Sequence, residues 1–212
     1  MVIKVYGLAM STCTKRVITT LKEKQVEYEL VPIDFANQEH KSEAYLEKQP
    51  FGVIPYLDDD GFIVYESRAI CRYIAAKYKD QGTQLVPTDL KELALFEQGA
   101  SVETSYFDTF ASPIVFQKVF KPWKGLGDAD EELVKQLAEK ANQYLDVYEK
   151  ILSKQEYIGG NTFTLADIFH LPYGSMLTLP NVGYAHLFND RPHVKAWWDK
   201  ITSRASWQEA NQ

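Results

Sequence analysis

Three small groups of residues are of kinds that handle a charged small molecule: Ser11, the pair His40-Lys41, and the pair Glu66-Ser67. Ser11 follows the short run Val2–Tyr6, which Gly7 stops, and precedes a helical pattern from Thr12 to Lys24. A serine there is an ordinary N-cap. A cap uses the hydroxyl oxygen as acceptor and leaves its hydrogen free to donate. The helix start also aims backbone N–H groups at one anion site. Such a site suits a thiolate. A thiol with a pKa of about 8.5 is only roughly three per cent ionised at pH 7. Lowering that pKa by about two units takes nearly 3 kcal/mol of preference for the anion. A helix N-terminus supplies about 0.3–1 kcal/mol, up to ~2 in a favourable site. A hydroxyl donating to the anion supplies about 1.5–3 kcal/mol. The two together suffice without a general base.

The other groups suit carboxylates and an ammonium. Ser67 opens a helix running to Tyr78, with Ile70, Tyr73, Ile74 and Tyr78 at three- and four-residue spacing. Its N–H and the helix dipole favour a carboxylate, and Glu66 beside it suits an ammonium. Glu66 and Ser67 read equally well as a plain cap with a solvated acid. His40-Lys41, in a polar loop over Asn37–Lys41, reads as a solvated pair or as a cationic clamp for a second carboxylate. Pro55 follows Val53-Ile54 and, from the residues alone, is an ordinary trans proline at a strand start.

The elements that position these residues follow from spacing. Val2–Tyr6, the Thr12–Lys24 helix with Val17, Ile18 and Leu21 on one side, and Tyr28–Ile33 form a βαβ unit. Ser42–Lys48 gives one or two helical turns, broken by Pro50-Phe51-Gly52. Ile54–Leu57 and Phe62–Tyr65 flank Asp58-Asp59-Asp60-Gly61, a hairpin signal. The order βαβ-α-ββα is thioredoxin-like and covers residues 1–78. A linker is expected over 79–87 and an all-α domain over 88–212. In the latter, a long helix runs Leu90–Phe120 with Pro113 expected to kink or end it. A second runs Asp130–Leu152 with Leu133, Leu137, Leu145, Tyr148 and Leu152 as core positions, and shorter helices cover Thr164–Leu177 and Val194–Ser203.

Composition limits the function. The chain has 212 residues, 45% hydrophobic, with a net charge of −6. That suits two globular domains and argues against general nucleic-acid binding, which needs cations to neutralise phosphates. Two cysteines, Cys13 and Cys71, form neither a disulfide framework nor a metal cluster, which points to a reducing, cytoplasmic setting and no metal cofactor. No signal peptide or membrane-spanning run is read, and no membrane partner is expected.

The pieces complement glutathione: Glu66 with Ser67 its γ-glutamyl end, Ile54 with Ser11 its centre, His40 with Lys41 its glycine carboxylate. The sequence resembles a glutathione transferase, in particular the phi class of plants and fungi. The likeness rests on Ser11–Val17, Glu39-His40-Lys41, Gln49-Pro50-Phe51-Gly52, Phe62–Tyr65 running into Glu66–Ile74, and Phe163-Thr164-Leu165-Ala166-Asp167. It implies Ser11 as the catalytic serine, His40, Lys41, Val53, Ile54, Glu66 and Ser67 as the glutathione-binding set, and Pro55 as a cis proline. Thr164 and Asp167 would cap a helix reciprocally, a structural role. The class often has Gln-Val-Pro or Lys-Val-Pro where this chain has Val53-Ile54-Pro55, so one contact to glutathione is expected to be missing.

The implied enzyme conjugates glutathione to hydrophobic electrophiles, with reduction of organic hydroperoxides as a further activity, and is a cytoplasmic homodimer with Phe51 as an interface anchor. Met10 and Phe35 from the first domain and Phe116 and Phe120 from the second are expected to line an inter-domain electrophile pocket, although taken singly each reads first as ordinary core packing. Two alternatives stand beside this reading. One is a thiol transferase using Cys13, offset from Ser11 by about 200° around the helix. The other is a non-catalytic carrier of hydrophobic ligands.

Overall fold

The computed structural model of the chain describes residues 2–212; Met1, part of the expected first stretch, lies outside them. The chain divides into two compact units, one running to Val86 and taking back Ala205–Gln212, the other spanning Pro87–Arg204.

The first unit contains β1 (Ile3–Gly7), α1 (Thr12–Glu23), β2 (Tyr28–Pro32), α2 (Glu43–Leu46), β3 (Tyr56–Asp59), β4 (Phe62–Tyr65) and α3 (Ser67–Lys77). The sheet order is β2-β1-β3-β4. β1 and β2 are parallel, as a βαβ crossover requires, with Val5 opposite Leu30. β3 runs antiparallel to β1, with Leu57 opposite Val5. β3 and β4 turn on Asp60-Gly61, both at positive φ, so the strand takes in Asp58 and Asp59, which the sequence assigned to the turn. Ile3, Val5, Val17, Ile18, Leu21, Leu57, Ile70 and Ile74 fill the core.

α1 is buried on more than its apolar side. Thr12, Thr14, Arg16, Thr19, Thr20 and Glu23 are buried with Val17, Ile18 and Leu21. α3 packs on it, and so does the helix formed by Ala205–Ala210. Polar contacts hold that last helix: Lys15 Nζ to Asn211 Oδ1 at 2.8 Å, Lys22 to Glu209 at 2.7 Å, and Ser206 to Glu23. Trp207 is fully buried there. The expected second domain over 88–212 therefore ends at Arg204. The expected linker over 79–87 is a packed strap. Thr83 N–H donates to Glu23 O at 2.9 Å, Lys24 Nζ donates to Thr83 O at 2.8 Å, and Leu85 is buried.

The second unit is helical: α4 (Leu90–Val102), α5 (Asp108–Val115), α6 (Lys121–Trp123), α7 (Glu131–Leu152), α8 (Leu165–Leu177), α9 (His186–Asn189) and α10 (Pro192–Thr202). Ala205–Ala210 is α11 and belongs to the first unit. Pro113 does not end the helix before it. Helical backbone runs on to Trp123, with wider i→i+5 turns over Glu103–Phe107 and Phe116–Phe120. On α7 the buried stripe is Val134, Ala141, Leu145, Tyr148 and Leu152, and the expected core residue Leu133 is exposed. Leu145, Tyr148 and Leu152 are buried as expected, Leu137 is half-buried, and towards the N-terminus Val134 and Ala141 take the core positions.

α8 begins in a capping box. The Asp167 carboxylate accepts from Thr164 N–H at 2.9 Å, Ile158 N–H at 3.1 Å and Trp197 Nε1 at 2.9 Å. Burial pushes its carboxyl up to about 6 even against those donors. Among the described residues, no helix is long and apolar enough to cross a membrane.

Candidate functional site

Each predicted site residue of the first unit lies where a loop meets a helix or strand end. Ser11 is the N-cap of α1, with extended backbone, and its Oγ accepts the Thr14 N–H at 3.3 Å. The hydroxyl hydrogen is left to donate. The first turn of α1 holds no acidic side chain to oppose an anion.

The Ile54–Pro55 bond is cis. The residues alone favoured trans at Pro55, and the family likeness implied cis. Strand β3 starts only at Tyr56, two residues later than the sequence reading placed it. Among the described residues, no backbone group takes up the N–H or C=O of Ile54. Gly7 at the end of β1 brings this turn against α1. A Cβ there would stand 2.6 Å from Thr14 Oγ1 and 3.3 Å from Pro55 Cβ. The Ser11 turn and the Ile54-Pro55 turn are thus neighbours.

The segment before them is tied together by Gln49, Lys41 and Tyr45. The buried Gln49 accepts the Phe51 N–H on Oε1 at 2.8 Å. Lys41 Nζ donates to Gly52 O at 2.8 Å and to Phe51 O at 3.4 Å. An ammonium has three hydrogens, so one remains for a ligand. Tyr45 donates its hydroxyl to Val53 O at 2.8 Å, and burial pushes its own pKa well up. Val53 is exposed. His40 and Lys41 lie in a short 3-10 turn, Glu39–Lys41, where the sequence suggested plain loop. The His40 ring stacks on Phe35 at 4.1 Å, and Phe35 packs on the Ile33, Tyr45 and Tyr56 cluster.

At the other side, Glu66 is exposed and precedes α3 with φ +69°, ψ 109°. A non-glycine residue held at positive φ is uncommon and concentrates at functional sites. Ser67 is buried, and its Oγ accepts from Arg16 Nη1 at 2.8 Å. Three groups of contacts therefore bear on the site: Phe35 with His40 and Lys41 with Gly52, Ser11 with Thr14 where Gly7 lies close to Thr14 and Pro55, and Arg16 with Ser67 next to Glu66. Arg16, Gln49 and the tether from Lys41 to Gly52 were not read as parts of the site. The signal for Arg16 was weak: Thr12, Arg16, Thr20 and Glu23 recur at helical spacing and look like a solvated face.

Of the expected electrophile-lining residues, Met10 is 68% exposed in the turn just before Ser11. Phe116 and Phe120 begin and end one wide helical turn in the second unit, Phe116 exposed and Phe120 half-buried.

Two family models match: glutathione S-transferase N-terminal domain over residues 1–76 and C-terminal domain over 105–205. Glutathione S-transferase PM239X14 of Arabidopsis thaliana is 52% identical over 92% of this chain and 89% of its own length. The crystal structure of glutathione transferase F7 from Populus trichocarpa superposes with a TM-score of 0.93 at 43% identity, covering 99% of this chain and 97% of that one. Glutathione S-transferase I from maize, in complex with an atrazine glutathione conjugate, gives a TM-score of 0.90 at 37% identity, covering 100% of this chain and 97% of that one. The chain is a member of the glutathione S-transferase family, of the phi type of plants and fungi, and an enzyme that joins glutathione to a second substrate.

Proposed function

We propose that this transferase conjugates glutathione to hydrophobic electrophiles through a thiolate that the Ser11 hydroxyl stabilises. The observation that carries this reading is the state of Ser11. Its oxygen is occupied by the Thr14 N–H, and its hydrogen is free at the positive end of α1. In this reading Ser11 is not the nucleophile. The sulfur attacks the electrophilic carbon, the bond to the leaving group breaks, and the leaving group departs with the electron pair. Organic hydroperoxides are a second class of electrophile for the same thiolate.

In this reading the ligand lies extended across these three groups. Glu66 and Ser67 hold its γ-glutamyl end, the Ile54 backbone with Val53 its cysteinyl centre, and His40 with the remaining Lys41 hydrogen its glycine carboxylate. The unpaired Ile54 backbone supports the second assignment. Met10, in the turn just before Ser11, and Phe35 would meet the apolar electrophile from the first unit. That the maize relative is seen with an atrazine conjugate supports an apolar second substrate. Two free thiols, Cys13 and Cys71, fit a reducing cytoplasmic setting and a role in detoxification. A homodimer is part of the same reading, with Phe51, 66% exposed and edge-on to Tyr65, as anchor. A monomeric mass by sedimentation at micromolar concentration would contradict it.

The direct experiment is Ser11→Ala, assayed by conjugation of a model aryl halide at neutral pH in a variant with wild-type circular dichroism. Turnover is expected to drop by about ten- to a hundredfold, the equivalent of the ~1.5–3 kcal/mol hydrogen bond removed. Unchanged turnover removes Ser11 from the mechanism.

A further inference from the structure

Arg16 is a charged side chain in the core of the first unit. It is 0% exposed, on a helix packed by both α3 and α11. Its Nη1 donates to Ser67 Oγ at 2.8 Å and lies 3.8 Å from Cys13 Sγ. The backbone holds the same two helices together, since the Cys71 thiol donates to Arg16 O at 3.6 Å.

A guanidinium has five donor hydrogens, no acceptor, and stays charged at any ordinary pH. Ser67 can therefore only accept from it. One lone pair of the Ser67 hydroxyl is fixed, and its hydrogen must point away from Arg16. A hydroxyl that accepts from a cation is also polarised into a stronger donor. Ser67 is 6% exposed and is the first residue of α3, so the hydrogen is presented at a helix N-terminus.

We propose that Arg16 is a positioning residue for the substrate's γ-glutamyl carboxylate. From beneath α3 it fixes the Ser67 hydroxyl outward and adds positive charge behind it. This rests on the assignment of Ser67 to that carboxylate. Arg16 does not touch the ligand. Its planar fork sets a direction that a lysine ammonium, a rotatable point charge, does not.

The test measures binding of glutathione and of γ-aminobutyryl-cysteinyl-glycine, which lacks only the α-carboxylate of the γ-glutamyl residue. Both are titrated by calorimetry into wild type, Arg16→Lys, Ser67→Ala and the double variant, with kcat and KM for glutathione measured alongside. Arg16→Lys is expected to weaken glutathione by about tenfold, the factor that 1.4 kcal/mol represents. KM for glutathione rises, kcat holds, the analogue binds wild type and Arg16→Lys alike, and Arg16→Lys costs nothing further once Ser67 is alanine. If Ser67→Ala weakens glutathione and Arg16→Lys does not, the role of Arg16 is overturned while that of Ser67 stands. If Ser67→Ala leaves glutathione binding unchanged, the Ser67 assignment itself falls. Equal weakening of both ligands by Arg16→Lys marks a purely structural role and also overturns the proposal. Should Arg16→Lys fail to fold, arginine side-chain ¹⁵N spectra of the wild type decide, with the Arg16 signal identified by its change in Ser67→Ala. A shift of that signal with glutathione and none with the analogue supports the proposal; no shift with glutathione refutes it.

Discussion

Gly52 sits where the Lys41 tether closes, and Gly52→Ala should open it. The residue has φ +61°, a region that costs a residue with a Cβ about 1–2 kcal/mol. The new methyl would stand 2.7 Å from Lys41 Nζ, 3.0 Å from Lys41 Cδ and 2.8 Å from His40 O. The ammonium can swing aside, but it then leaves Gly52 O and Phe51 O. That loses about 1 kcal/mol for a partly solvated charged donor. The His40 carbonyl is backbone and has to move, and overpacking of that kind costs about 1–3 kcal/mol. Together these give about 3–6 kcal/mol. For a protein of this size that lowers Tm by on the order of 10 °C. Thermal unfolding by circular dichroism measures it, with Lys41→Met as the reference background. Lys41→Met removes the ammonium and its two hydrogen bonds, so Gly52→Ala should cost about 1 kcal/mol less there than in wild type. Displacement of His40 and Lys41 should also raise KM for glutathione. A Gly52→Ala Tm within about 2 °C of wild type, with an unchanged KM, would refute this account of the turn.

Three other outcomes are expected. Trp207→Ala, which empties the contact between α11 and α1, should destabilise the first unit by about 3–5 kcal/mol in urea titrations; a loss under 1 kcal/mol would show that α11 is dispensable. Asp167 is fully buried with its carboxyl pushed up to about 6, against about 3.9 unfolded, so the folded state holds its proton more tightly. Its contribution is present in full below pH ~4 and is lost as pH rises toward 6, so lowering pH from 7 to 4 should stabilise wild type relative to Asp167→Asn by up to about 3 kcal/mol; parallel pH profiles would contradict the shift. Val53→Gln places an amide at an exposed position beside Ile54 and should lower KM for glutathione by about two- to tenfold, worth one neutral hydrogen bond; no change in KM would show that Val53 costs the site nothing.

The thioredoxin-like order was legible because each element carries its own local signal. The β-branched runs, the Asp-Gly turn and the Ser67 helix start are decided within a few residues. Much of the site was legible for the same reason: Ser11 and Ser67 cap helices whatever else they do. What stayed hidden depends on residues distant in sequence. α11 follows the second unit in sequence but packs on α1, joined by polar pairs such as Lys22 with Glu209 that have no periodicity. Arg16 is buried because α3 brings Ser67 to it from 51 residues away. The Lys41 ammonium looked like a free clamp, yet most of its hydrogen bonding goes to the Phe51-Gly52 backbone. Leu133 looks like core because Leu133, Leu137 and Leu145 recur in multiples of four, but each step of four drifts about 40° around a 3.6-residue helix, and Val134 and Ala141 are the residues that stay on the buried side.

The central claim is that Ser11 lowers the pKa of bound glutathione's thiol by donating its free hydroxyl hydrogen. The most direct measurement is a thiolate-absorbance titration of the glutathione complex near 240 nm, in wild type and Ser11→Ala. In wild type the bound thiol should ionise about two units below the free value of about 8.5. Removing a hydrogen bond of about 1.5–3 kcal/mol should raise that pKa by roughly one to two units, leaving only what the α1 N-terminus supplies. A bound thiol that ionises at the same pH in both proteins would contradict the claim.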